Sequence, residues 1–340
     1  MSREIPRAPL ITTVGAPTGF GQRAVTASLR ALSRASVKLL VRPPFSVGSQ
    51  RIVARLQAGL AASEPGLNLD PLLLPFGGEI ISPAVGDADG AILYLHGGAY
   101  CSGSPASVRP ITTRLAAGSR SEVWVPAYRL APEHPYPAAL DDAVDTYRQM
   151  LMHGHAADQI VIAGDGAGAG LALALAFRLR ELSLPLPAGL ALLSPWVDMS
   201  FDGESMRLNG ALDPMLSRAW LAACARHYRA GAGRQNPHCS PLFNEFGGMP
   251  QMLIQVGSDE LLLDDATRLA QRASVHGADV RLTVFSGMWH VFQRHADVLQ
   301  VADQALQQLA GFIAQCRQVP FRETAPATAE LSASQPAWSM

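Results

Sequence analysis

At 340 residues, with 48% hydrophobic and 16% charged residues, the chain is long and apolar enough for one large α/β domain with an added covering segment. A formal net charge of −1 gives no electrostatic footing for nucleic acid or an anionic membrane surface. No uninterrupted apolar stretch approaches the ~20 residues that span a bilayer, so no membrane association is expected.

Residues 1–20 carry Arg3, Glu4, Pro6, Pro9 and Pro17 and lack the apolar core of a signal peptide, so a poorly ordered start and a cytoplasmic protein are expected. Gln22 to Leu40 places Val25, Leu29, Leu32, Val37 and Leu40 near one helical face, and Pro43 and Pro44 stop it. A second amphipathic stretch runs from Ser49 to Ala62. Helices ahead of the first strand are surplus to a minimal α/β sheet, so residues 21–62 are expected to cover something.

Strands are predicted at Leu72–Ile81, Gly90–His96, Glu122–Tyr128, Gln159–Ala163, Leu190–Ser194, Met252–Val256 and Val280–Phe285. Helices are predicted near Val108–Gly118, Asp141–Met152, Leu171–Leu182, Asp264–His276 and Val298–Arg317. Strands alternating with helices at this rhythm predict an α/β fold, with a mainly parallel sheet covered by helices on both faces. Asp198 to Leu242 interrupts the rhythm with a helix near Ser217–Ala230 and predicts a second covering segment, taken as 198–245. The core is then 63–197 and 246–318, and 319–340, rich in Ala, Ser, Thr and Pro, is expected to be disordered. Cys101, Cys224, Cys239 and Cys316 show no short C-x-x-C spacing, so buried free thiols are expected and no metal site.

Ile160 to Leu171 reads as an apolar β-branched run, a turn of small residues at Gly164-Asp165-Gly166-Ala167-Gly168, and then a helix. His290 follows a predicted strand and precedes a helix, which places it on a loop at the carboxyl edge of the sheet, where open α/β folds bind ligands. Asp259, just past another strand end and ahead of His290, is the favoured acid to orient that base; Glu260, Asp264 and Asp265 compete with it, and a turn or helix-capping aspartate is the bland alternative. Gly97 and Gly98 follow a buried strand. With the amide of Ala167 they are candidate donors to an oxyanion.

His96-Gly97-Gly98-Ala99-Tyr100, the segment Tyr128 to Ala138, Gly164 to Gly168, Ser194-Pro195-Trp196, Asp259-Glu260-Leu261 and Gly287-Met288-Trp289-His290-Val291-Phe292 occur in this order. Together, from about residue 20 to 318, they resemble the hormone-sensitive-lipase family of α/β-hydrolase esterases. The resemblance implies a capped α/β-hydrolase core that cleaves short-chain carboxylic esters without a cofactor or metal. It implies Asp259 as acid, His290 as base and Gly97, Gly98 and Ala167 as oxyanion donors, with His96 and residues 128–138 as bracing. Tyr100, Asp165, Trp196, Met288, Trp289, Val291 and Phe292 are expected around the substrate. The cap residues Met206, Leu212, Met215 and Trp220 are further candidates for an apolar pocket.

The family's nucleophile serine falls where this chain has Gly166, and Ala99 stands where many members have a third glycine. Glycine cannot form an acyl-enzyme, and Asp165, Ser102 and Ser104 are poor substitutes by position. The expectation is an inactivated form of an esterase that works through a serine acyl-enzyme. The alternatives are a natural pseudo-enzyme and a small-ligand binding protein on the same scaffold. A homodimer through the edge of the last strand is left open.

Overall fold

The structure, a computed structural model, describes residues 8–38, 43, 45–59 and 64–318. One nine-stranded sheet runs in the order β1-β9-β8-β7-β6-β4-β5-β3-β2. The strands are β1 (Leu10–Val14), β2 (Leu67–Pro71), β3 (Gly78–Pro83), β4 (Gly90–Leu95), β5 (Ser121–Pro126), β6 (Ile160–Asp165), β7 (Gly189–Leu193), β8 (Gln251–Gly257) and β9 (Val280–Phe285). The pairings β2·β3 and β3·β5 are antiparallel, and the rest are parallel.

The central strands alternate within a fully buried setting. Ile92 and Tyr94 of β4 face a core layer formed with α3 (Pro105–Ser119) and α9 (Gln300–Gln318), while Leu93 and Leu95 face the layer of α4 (Ala138–Met152), α5 (Ala167–Glu181) and α8 (Leu263–Val275). Apolar side chains on both faces explain why these strands read as continuous hydrophobic runs. The mainly parallel sheet with helices on both faces is the expected class.

Several expectations change. Residues 10–14 form a strand rather than a draped tail: the β-branched run Ile-Thr-Thr-Val pairs in parallel with β9 and covers its edge. The free edge on that side of the sheet is therefore β1, not the last strand. Of the strand predicted at Leu72–Ile81 only residues 78–81 are extended, as the start of β3; residues 72–77 form the turn that joins it to β2, with Gly77 and Gly78 both at positive φ. The helix after the small-residue turn starts at Ala167, four residues before the first leucine of the apolar pattern. Residues 319–340, expected to be disordered, and residues 39–40 and 60–62, predicted as the ends of the two leading helices, lie outside the described residues.

The leading helices are α1 (Phe20–Ser33), continued by a π turn at Arg34–Lys38, and α2 (Val47–Ala58). Between β7 and β8 come α6 (Ser205–Leu208) and α7 (Arg218–Arg229). These two segments hold each other. Arg30, Arg34 and Lys38, spaced along one helical face, donate to the carbonyls of Leu212, Ala211 and Gly210. Trp220 Nε1 donates to Gln50 Oε1 at 2.8 Å, tying α7 to α2.

Candidate active site

The carboxyl ends of β4, β6, β8 and β9 bring the candidate residues together. Between β6 and α5, Gly166 adopts φ 54°, ψ −115°. This is a region that side chains other than glycine's occupy only under strain. A Cβ built there would meet His290 Nε2 at 3.0 Å. The turn is held from both sides: Gly166 N donates to Leu193 O at 2.9 Å, and Trp196 N donates to Gly166 O at 3.0 Å. A side chain at this position would be presented directly to the base.

His290 is 12% exposed, and its Nδ1 donates to Glu260 Oε2 at 3.1 Å. That bond fixes the tautomer and leaves Nε2 facing Gly166 as an acceptor. The expected acid, Asp259, is not at the histidine. Its carboxylate pairs with Arg30 of α1 and accepts from Ser258 Oγ. The physical reason is the tight turn after β8: adjacent residues there project in different directions, and the groups converging on the histidine side reach residue 260. Glu260 Oε1 accepts from Gly257 N at 2.6 Å and Ser194 Oγ at 2.8 Å. Ser194 Oγ also accepts from Val291 N at 3.1 Å, so this hydroxyl ties the acid to the histidine loop. Sequence reasoning missed it, although Ser194-Pro195-Trp196 had been singled out.

Burial pushes the Glu260 carboxyl up, opposed by its bonds to His290, Gly257 and Ser194. For His290, burial works downward but is outweighed by the hydrogen bond and charge of Glu260, and its pKa lies above the usual 6.5. A fully buried carboxylate beside the imidazole favours the charged ring, which is what a base needs while it holds a proton.

The oxyanion assignment also shifts by one residue. Gly97 N donates to Asp165 Oδ1 at 2.9 Å, so this amide is already committed. Among the described residues, the amides of Gly98, Ala99 and Ala167 have no protein acceptor and border the same cavity. Ala99 sits at φ 54°, the left-handed region that a third glycine would occupy more freely. His96 and Tyr128 do brace the loop: their rings stack at 4.2 Å, and Tyr128 Oη donates to His96 O at 2.6 Å. Arg51 of α2 adds bonds to the carbonyls of Cys101 and Ala131.

A cavity lies over Gly166 and His290, lined on the core side by Asp165, Trp196 and Val291. Val37, Ala54, Met215, Leu216 and Trp220 of the leading and inserted segments close it from above. Four of the expected substrate contacts are not in the wall. Tyr100 stacks on Tyr228 at 3.7 Å beneath the loop, while Met288, Trp289 and Phe292 are fully buried in the layer of α3 and α9. Large apolar side chains beside a catalytic loop pack the sheet face as readily as they line a pocket. Of the cap residues, Met215 and Trp220 reach the cavity, Met206 is buried elsewhere and Leu212 is 47% exposed. The four cysteines are buried and free, and no group of His, Cys, Asp or Glu among the described residues could hold a metal ion.

Comparison with known proteins supports the fold and its family. A family model described as the alpha/beta hydrolase fold matches residues 92–294. An esterase from Acinetobacter venetianus is 38% identical over 255 residues, covering 74% of this chain and 84% of that protein. An acetyl-hydrolase from Streptomyces hygroscopicus is 39% identical over 235 residues, covering 69% of this chain and 78% of that protein. A crystal structure of an esterase from the bacterial hormone-sensitive lipase family superposes with a TM-score of 0.81 at 33% identity, covering 88% of this chain and 99% of that one. The chain belongs to the alpha/beta hydrolases and, within them, to the hormone-sensitive-lipase family of carboxylesterases.

Proposed function

We propose that this carboxylesterase site is complete in base, acid and oxyanion donors and lacks its nucleophile at Gly166, so that the chain as it stands turns over esters very slowly. The observation that carries this is the 3.0 Å approach of a Cβ at Gly166 to His290 Nε2. Among the described residues no hydroxyl or thiol hydrogen-bonds to that nitrogen. Ser102 Oγ donates to Gly98 O, and Ser104 with Ser107 caps α3.

In a form with serine at 166, Oγ attacks the ester carbonyl while His290 Nε2 takes its proton. The tetrahedral oxyanion is held by the amides of Gly98, Ala99 and Ala167, and Glu260 steadies the imidazolium. Collapse expels the alcohol, which takes the proton from His290. Water, deprotonated by the same ring, then cleaves the acyl-enzyme and frees the acid. Without the hydroxyl, the first step has no nucleophile of its own, and loss of one such member costs on the order of 10³-fold or more.

Gly166→Ser tests the reading with short p-nitrophenyl esters, and Gly166→Ala serves as control. A large gain for serine and none for alanine is expected. No gain in a folded Gly166→Ser protein, together with tight binding of a small ligand, would favour the pseudo-enzyme or binding-protein reading. A small-molecule ester as partner follows from the same proposal. Cytoplasmic residence and a homodimer are also proposals; a dimer formed through a strand edge would use β1. No described helix is long and apolar enough to cross a membrane.

A further inference from the structure

Arg294 lies four residues after the base, on the short 3₁₀ turn Phe292–His295. It borders the cavity over Gly166 and also an adjoining cleft between α1 and α3, so the two spaces meet at this side chain. Three other arginines around the site have carboxylate partners. Arg30 pairs with Asp259, Arg51 with Glu133, and Arg114, in the wall of the same cleft, with Glu64 and Asp303.

Arg294 differs. Its Nη2 donates to the carbonyl of Ser107 at 3.0 Å, and among the described residues no carboxylate lies within ion-pair distance. Asp297, in the cleft wall, is exposed and outside that distance. Its neighbour His295 is held down to about 4 by burial and by the Arg294 charge, so at neutral pH that ring adds no second cation. The wall of a largely apolar site therefore presents one half-buried guanidinium whose Nε and Nη1 have no acceptor among the described residues. A partly desolvated charge without a counter-charge is costly, and a ligand anion would relieve that cost.

We propose that Arg294 is a specificity-determining residue that selects esters carrying a carboxylate on the arm directed into the second cleft. The remaining donors suit a carboxylate oxygen, and one positive charge balances one negative charge, whereas a phosphate dianion would remain half compensated. The inference rests on reading the cavity as an ester site. Gly166 and Arg294 border one cavity, so one separation between ester carbonyl and carboxylate should be preferred.

The test uses monomethyl esters of succinate, glutarate and adipate against the corresponding dimethyl esters, plus acetates of hydroxy acids to place the carboxylate on the alcohol arm. The chain with Gly166 allows binding to be measured by calorimetry without turnover. At least one monoester or hydroxy-acid acetate is expected to bind about tenfold or more tighter than its neutral counterpart, as charge-assisted hydrogen bonds predict, with the preference weakening at high salt. Arg294→Gln should abolish the preference, and Arg294→Lys should keep part of it. In the Gly166→Ser background, the ratio of kcat/KM for charged over neutral ester should fall by a similar factor on adding Arg294→Gln.

Equal binding of charged and neutral esters to the parent, or a preference that survives Arg294→Gln, overturns the proposal. If Gly166→Ser hydrolyses neutral esters without any charge preference, the role of Arg294 falls and the esterase reading stands. If it hydrolyses nothing but the Arg294-dependent binding preference persists, the reverse holds. Unfolding midpoints are measured alongside; should Arg294→Gln not fold, the parent preference and its retention by Arg294→Lys carry the decision.

Discussion

Glu260 Oε2 stands 3.1 Å from His290 Nδ1, while its neighbour Asp259 turns the other way to pair with Arg30 of the leading helix. One residue of register thus separates the group that orients the base from the group that anchors the cap. In the Gly166→Ser background, Glu260→Gln should lower kcat by roughly 10³-fold or more, because the amide can no longer hold the same tautomer or steady the imidazolium. Asp259→Asn should cost only a few-fold, by loosening the cap. Steady-state kinetics of the paired variants decide it. A larger loss at Asp259 than at Glu260 would show that the oriented pair has been misassigned.

That one-residue shift shows where the sequence stops being legible. Continuous apolar runs and the 3.6-residue period locate nearly every central strand and helix, because burial on both faces leaves few polar interruptions in β4, β6, β7 and β8. Chain order finds the loops that bear the base and the acid. It cannot tell which of two adjacent acids faces the ring, since that depends on the turn after β8 and on Ser194 arriving from a different strand. Likewise Gly97 and Gly98 look equivalent in sequence until Asp165 takes the first amide. β1 escaped notice because its side chains are mostly exposed and its pairing partner lies some 270 residues on, so no local burial pattern marks it.

The pH profile of the serine form follows from the same pair. Neutral imidazole is the active base, and the His290 pKa is raised above 6.5 because Glu260 outweighs burial. Activity should therefore rise with pH, with the midpoint of kcat/KM above 6.5. Glu260→Gln removes both the charge and its hydrogen bond, leaves burial in place, and should move the remaining activity's midpoint below 6.5. A midpoint that does not move would mean that Glu260 does not set the ring's proton affinity.

Asp265 sits fully buried on α8, where its Oδ2 accepts from the amides of Val197 and Asp198. Burial, aided by the nearby Asp198 charge and opposed by those amides and Arg268, raises its pKa to about 8. The folded chain then keeps a proton that the unfolded chain releases above 3.8, so stability declines as pH rises from about 4 to 8. The slope from one such group approaches ~1.4 kcal/mol per pH unit. Asp265→Asn resembles the protonated side chain and should flatten that decline. Urea unfolding at pH 5, 6.5 and 8 would read it, and parallel slopes for parent and variant would refute it.

At Gly166 the needs of chemistry and of folding oppose each other. With φ 54°, ψ −115° and a Cβ meeting His290 Nε2 at 3.0 Å, any side chain here must strain the backbone and displace the ring by a few tenths of an ångström. Replacing glycine usually stabilises by ~0.4–1 kcal/mol through the unfolded state, but backbone strain of this kind costs ~1–3 kcal/mol, so strain should win. Gly166→Ala should then unfold more readily than the parent, and Gly166→Ser should do the same while gaining hydrolysis, the hydroxyl recovering part of the loss by bonding to His290. Denaturant midpoints at a common pH provide the measurement. An alanine variant as stable as the parent would mean that the turn relaxes around a side chain, and that the Gly166 conformation is not imposed by its surroundings.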